Sequence, residues 1–318
     1  MIKNIATIVL TASFSFAAGA ENLVVKQLGE FYRVGANSER GFHHPFLLYV
    51  PAERSRTKTL LVAPNNTGGS LTDLETQVQE TLRKGFADSY LAERTKSILL
   101  VPIFPRPNMD PPVYTHALSR SALSVKEGPL KRLDLQLIAM VEAARSFLKS
   151  KHDIDLTQKI FLTGFSASAS FASRFSFLHP EIVAAVAVGA PGGWPIAPVS
   201  KFKETTLSYP VGISDVKELT GKEIDLKSLR KVSFFFFIGD RDENDSVTFR
   251  DSFSELDEQI VMRLFGKKPI ERWPYANELY RDSGLQASFK TYPGIPHEVT
   301  RDMREDVIKF FNSVVVKR

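Results

Sequence analysis

The chain has 318 residues, 43% hydrophobic and 24% charged, a composition that excludes a disordered protein and fits a folded globular one. Its formal charge of +5 is spread over stretches of mixed sign such as "KGFADSYLAERTK", so no basic stripe marks a nucleic-acid surface. There is no cysteine, which excludes disulfides, a thiol nucleophile and thiolate metal ligands.

The chain begins "MIKNIATIVLTASFSFAAGA". Lys3, an apolar stretch from Ile5 to Ala18 and the small exit Ala18-Gly19-Ala20 have the form of a secretory signal peptide over residues 1–20. The stretch is short and carries several Ser and Thr, so it is a poor membrane span. The protein is expected to be secreted or periplasmic, with no stable membrane anchor once the signal is cut. Residues 21–318 read as one domain, with no repeat or linker.

Apolar runs bounded by turn residues then predict strands. They are "PFLLYV" at 45–50, "TLLVA" at 59–63, "SILLVPIF" at 97–104, "KIFLT" at 159–163, "VAAVAVG" at 183–189, "VSFFFFIG" at 232–239 and "ASFKTY" at 287–292. Several lack polar alternation, as strands buried on both faces do. Between them lie helical stripes: Leu74, Val78 and Leu82; Leu130 to Leu148; Ala167 to Phe175; Phe253 to Leu264; Met303 to Val314. This alternation predicts an α/β fold of three layers around a mostly parallel sheet. Residues 190–231 are long for a plain connection. They predict either a small cap over one end of the sheet or a surface excursion, with Trp194 lining a pocket or packed inside.

The chemistry centres on "KIFLTGFSASAS", a strand that turns through glycine and serine into a helix. The pattern Gly164-Phe165-Ser166-Ala167-Ser168 departs from G-x-S-x-G only at its end. The flanking positions of such a turn must be small, and serine nearly meets that need. A plain N-cap serine would also follow a strand. The chain order serine, acid, histidine supplies a test. Of six histidines, only His297, in "TYPGIPHEVT", lies past the acidic cluster and directly after the last strand. The acid should leave the preceding strand, where "GDRDEND" offers Asp242, with Asp245 as the second candidate and Asp240 still in the turn. The string Asp240-x-Asp242-x-Asn244 also resembles the start of a calcium loop. Asp245 stands where that loop needs glycine and Asp251 where it needs glutamate, so no metal is expected.

A developing oxyanion needs amide donors. The backbone N–H of Ala167 is one candidate. The other is the N–H of Asn66 in "LLVAPNNTGGS", with Thr67 next.

On "GFSAS", "GDRDEND", "GIPHE", "PNNTGG" and the helix "LDLQLIAMVEAARSFL", the chain resembles the α/β-hydrolase serine esterases. Within them it is most similar to secreted hydrolases of the polyhydroxybutyrate depolymerase-like and feruloyl esterase-like kind. The resemblance spans residues 21–318 and departs at Ser168, at Pro64-Asn65 where relatives carry His-Gly, and in the lack of cysteines. It implies an α/β-hydrolase domain with Ser166 as nucleophile, Asp242 as acid and His297 as base. It implies an ester substrate, small or polymeric, and no cofactor. A serine peptidase on the same fold and an inactive, ligand-binding relative are the alternatives. The oligomeric state is not legible.

Overall fold

The computed structural model describes residues 29–53, 59–66 and 73–314. The expected signal segment at 1–20 and Thr67 lie outside these ranges. In chain order come β1 (Gly29–Val34), β2 (Phe46–Pro51), β3 (Thr59–Val62), α1 (Leu74–Thr95), β4 (Ser97–Pro102), α2 (Arg120–Ser124), α3 (Leu133–His152), β5 (Ile160–Phe165), α4 (Ala167–Leu178) and β6 (Val183–Gly189). There follow β7 (Lys201–Phe202), β8 (Thr205–Thr206), α5 (Val216–Thr220), α6 (Leu226–Leu229), β9 (Ser233–Gly239), α7 (Glu255–Phe265), α8 (Pro269–Asp282), β10 (Gln286–Tyr292) and α9 (Arg301–Ser313).

Eight strands form one sheet in the order β1-β2-β4-β3-β5-β6-β9-β10. β2 pairs antiparallel with β1 and β4, and the other pairs are parallel. The run "SFFFFIG" of β9 shows how the layers form. Successive side chains of a strand point to opposite faces. Phe234, Phe236 and Ile238 therefore join a cluster with Leu137 of α3, Phe175 of α4 and Tyr280 of α8. Phe235 and Phe237 join Val78 of α1 and Met303 and Phe311 of α9 on the other face. With helices on both faces, every position from Phe234 to Ile238 is buried and apolar. The three-layer α/β fold with a mostly parallel sheet follows.

Besides the short α2 and the small elements of the 190–231 excursion, two elements have no counterpart among the predicted ones. β1, "GEFYRV", is a half-exposed edge strand whose glutamate and arginine break any apolar run. α8, "PIERWPYANELYRD", starts on Pro269 and contains Pro274, which hides its buried stripe of Trp273, Ala276 and Tyr280.

The excursion at 190–231 folds into the β7–β8 hairpin and the short helices α5 and α6. Its Trp194, Leu207 and Val211 pack with Phe253, Val261 and Phe265 in a third apolar cluster. Trp194 is 1% exposed, stacks on Phe265 at 4.2 Å and donates Nε1–H to the Val211 carbonyl at 2.9 Å. It is a packed core residue, and the active-site cleft is not among its neighbours. Among the described residues, no helix is long and apolar enough to cross a membrane.

Candidate active site

Ser166 lies between the last residue of β5 and the first of α4, at φ 61° and ψ −122°. Few residues with a Cβ adopt a positive φ, and the strain holds the side chain out at the tip of the turn. The turn is tight enough to dictate its neighbours. A Cβ on Gly164 would stand 2.6 Å from the backbone carbonyl of Ser168, so glycine is required there. Ser168 does more than stay small. Its Oγ accepts from the Phe165 N–H at 3.0 Å and donates to the Phe165 carbonyl at 2.9 Å, tying the first turn of α4 back to β5. Ser168→Ala is expected to lower stability by about 1–2 kcal/mol, read from the urea midpoint at unchanged slope. Ser168→Gly should lose more, because it adds a helical glycine.

The acids of "GDRDEND" have separate tasks. Gly239 ends β9 so close to the next loop that a Cβ would meet the Ile295 carbonyl at 2.0 Å. Asp240 accepts from the Gly294 N–H at 2.6 Å, and the Arg241 N–H donates to Ile295 at 3.0 Å. These contacts bind the loop that carries His297 to the exit of β9. Asp242 is 3% exposed and takes the Nδ1–H of His297, with carboxylate oxygens at 2.8 and 3.0 Å. The Asn244 N–H also donates to Asp242, at 2.9 Å. Asp245 is held elsewhere. Both its oxygens accept from the buried guanidinium of Arg272 at 2.8 Å, and it caps the Val247 N–H at 3.1 Å. Of the two candidate acids, the structure brings Asp242 to His297 and not Asp245.

The other imidazole nitrogen, Nε2, faces the Asn244 side-chain amide at 3.1 Å. The same Nδ2 lies 3.3 Å from Ser166 Oγ. Ser166 and His297 thus meet through Asn244 and share no direct hydrogen bond. Sequence reasoning had met Asn244 only as part of a calcium-loop string. The Phe165 ring packs against the imidazole, centroids 4.7 Å apart.

Asn66 leaves β3 beside the turn, and its Nδ2 donates to the Phe165 carbonyl at 3.1 Å. The preceding Asn65 exchanges two 3.0 Å hydrogen bonds with the backbone of Phe104 and so anchors this loop to the exit of β4. The Ala167 N–H, first in α4, has no acceptor within its own helix. A cleft of about 440 Å³ opens here, lined by Asn66, Arg106, Tyr114, Ser166, Phe249 and His297 among others. The Arg106 guanidinium lies 3.6 Å over the Tyr114 ring and pairs with Asp251 at 2.8 Å. Burial pushes the Tyr114 phenol up, which keeps it a neutral donor at ordinary pH. Arg106, Tyr114 and Phe249 were not anticipated from sequence. None of the lining residues comes from 190–231, so that excursion is no lid over this cleft. No group of three His, Asp or Glu among the described residues is placed to hold a metal.

The site therefore gathers loops that follow β3, β4, β5, β9 and β10, at the carboxyl ends of parallel strands. β3 pairs with both β4 and β5, so the chain order reverses there, as at ligand sites of open α/β sheets. Among solved structures, the chain is similar to poly(aspartic acid) hydrolase-1 from Sphingomonas sp. KT-1, with TM-score 0.58 and 15% identity over 89% of this chain and 98% of that one. The fold is the α/β-hydrolase fold. A poly(3-hydroxybutyrate) depolymerase from Bordetella parapertussis matches with TM-score 0.55 and 17% identity, over 89% of this chain and 88% of that one. An S-formylglutathione hydrolase from Agrobacterium tumefaciens matches with TM-score 0.50 and 14% identity, over 90% and 96%. No family model and no curated protein matches the sequence.

Proposed function

We propose that the chain is a serine hydrolase that cleaves carboxylic esters through an acyl-enzyme. In this scheme Ser166 Oγ attacks the ester carbonyl carbon while its proton passes to His297 Nε2. Asp242 keeps the Nδ1–H tautomer and stabilises the imidazolium. The Ala167 and Asn66 amides receive the oxyanion. The C–O bond then breaks, His297 returns the proton to the leaving alcohol, and water releases the acyl group by the same steps. No cofactor takes part. What carries this reading is one juxtaposition: a histidine on a buried carboxylate stands beside a serine held at positive φ on a strand–helix turn.

The α/β-hydrolase fold serves many chemistries, so the substrate has to come from the site. Two of the similar structures are named for acting on polymers, one of them a polyamide. Amide or peptide cleavage with the same residues is therefore the second reading. A panel of acyl esters, polyester films and peptide amides separates the two. We also propose, from residues 1–20, that the protein works outside the cytoplasm.

The decisive test is a fluorophosphonate, whose phosphorus an activated serine attacks with loss of fluoride. The expected result is one adduct, located on Ser166 by peptide mass spectrometry. A folded protein that takes up no probe would instead be an inactive, ligand-binding relative.

A further inference from the structure

Asn244 stands where the proposed proton transfer has to occur. A neutral imidazole that donates Nδ1–H to Asp242 has one lone pair, at Nε2. The Asn244 amide donates to it at 3.1 Å, so Ser166 finds it occupied. The second hydrogen of that amide faces Ser166 Oγ at 3.3 Å. The flipped amide would set a carbonyl oxygen against the bare Nε2, lone pair to lone pair. The orientation seen is therefore the one that suits a neutral base.

The backbone around Asn244 is fixed at both ends. Its own N–H is bound to Asp242, and the next residue, Asp245, is locked to fully buried Arg272. The half-buried side chain borders the cleft and can turn about its own bonds without moving that backbone. The charged groups around the imidazole are few. Asp242 lies on the Nδ1 side, and the Arg106–Asp251 pair stands on the cleft wall. Asp240 is turned to Gly294, the exposed Glu243 pairs with Lys268 at 3.7 Å, and Glu298 is exposed.

We infer that Asn244 is a positioning residue that latches the resting site: it holds Ser166 and His297 apart, and a bound substrate must displace it before Nε2 can take the Ser166 proton. This rests on the serine-hydrolase reading above. While the Asn244 amide occupies the Nε2 lone pair, the Ser166 hydroxyl cannot donate its proton there. Removing the donor lets Ser166 bond directly to Nε2.

The test is the rate of fluorophosphonate labelling of Ser166 as a function of pH, in the full protein and two variants. Asn244→Ala should label roughly 3- to 10-fold faster on the plateau, the worth of about one net hydrogen bond. Asn244→Asp keeps the shape but puts an acceptor and a negative charge beside Nε2, which favours the charged imidazole, so the acidic limb of its pH profile should move above the wild type's. Unfolding curves establish that both variants fold, and the aspartate variant decides if the alanine one does not. An Asn244→Asp limb that stays in place, or labelling of Asn244→Ala at or below the wild-type rate, overturns the latch while leaving the hydrolase reading standing. Wild-type protein that does not label removes that reading, and the latch with it.

Discussion

Ser166→Ala is expected to lose on the order of 10⁴-fold or more in turnover of a short-chain nitrophenyl ester, because it removes the nucleophile of the proposed acyl-enzyme. The remaining amides and cleft can still bind and polarise an ester, so a small residual rate over water is expected. The fold should be untouched. Ser166 Oγ makes one long hydrogen bond, 3.3 Å from Asn244, and the positive φ is imposed by the turn whichever side chain it carries. Urea midpoints of the variant and the wild type should agree within about 0.5 kcal/mol, as for a substitution that removes no buried contact. Near-normal hydrolysis by a folded Ser166→Ala protein would remove Ser166 from the chemistry.

Much of the architecture was legible because burial on both faces leaves a plain mark. The short, aromatic run "SFFFFIG" fits a strand covered on both faces, and "VAAVAVG" is read to its ends. The serine turn was legible for a steric reason, since Gly164 has no room for a Cβ and Ser168 is small enough to bond back to Phe165. The choice between Asp242 and Asp245 was not legible. Both sit in one short loop at the end of β9, and what separates them is Arg272, which claims Asp245 from α8. That helix was itself hidden by Pro269 and Pro274, so its arginine could not be placed. Asn244 was out of reach for a similar reason. Its two contacts join residues 78 and 53 positions away, and nothing local in the chain announces a bridging amide. The cleft wall is likewise assembled from separate loops, with Arg106 and Tyr114 brought together by stacking across seven intervening residues.

Asp134→Ala is expected to cost about 3 kcal/mol of stability, the low end for breaking a buried charged pair. The carboxylate of Asp134 is 0% exposed at the start of α3. It accepts from Arg132 Nε at 2.9 Å and Nη2 at 2.7 Å, and its Oδ2 lies 2.8 Å from His179 Nε2, just past the end of α4. Alanine would leave a partly buried guanidinium and a buried imidazole facing an empty site. Burial alone would push the Asp134 carboxyl up. The hydrogen bonds from His179 and Arg132 and the Arg132 charge outweigh it and hold the group at about 2, against an ordinary 3.8. A depressed folded value means that the stabilisation is complete above the unfolded value and fades as pH falls through the folded one. The gap between wild type and Asp134→Ala in urea unfolding should therefore be full at pH 7 and shrink between about pH 4 and pH 2. Ser166 lies at the other end of α4, roughly 18 Å away for twelve residues at 1.5 Å each. Below its melting range the variant should thus keep wild-type kcat, so a loss of kcat at full folding would show that the staple at the far end of α4 also sets the geometry of the turn that presents Ser166.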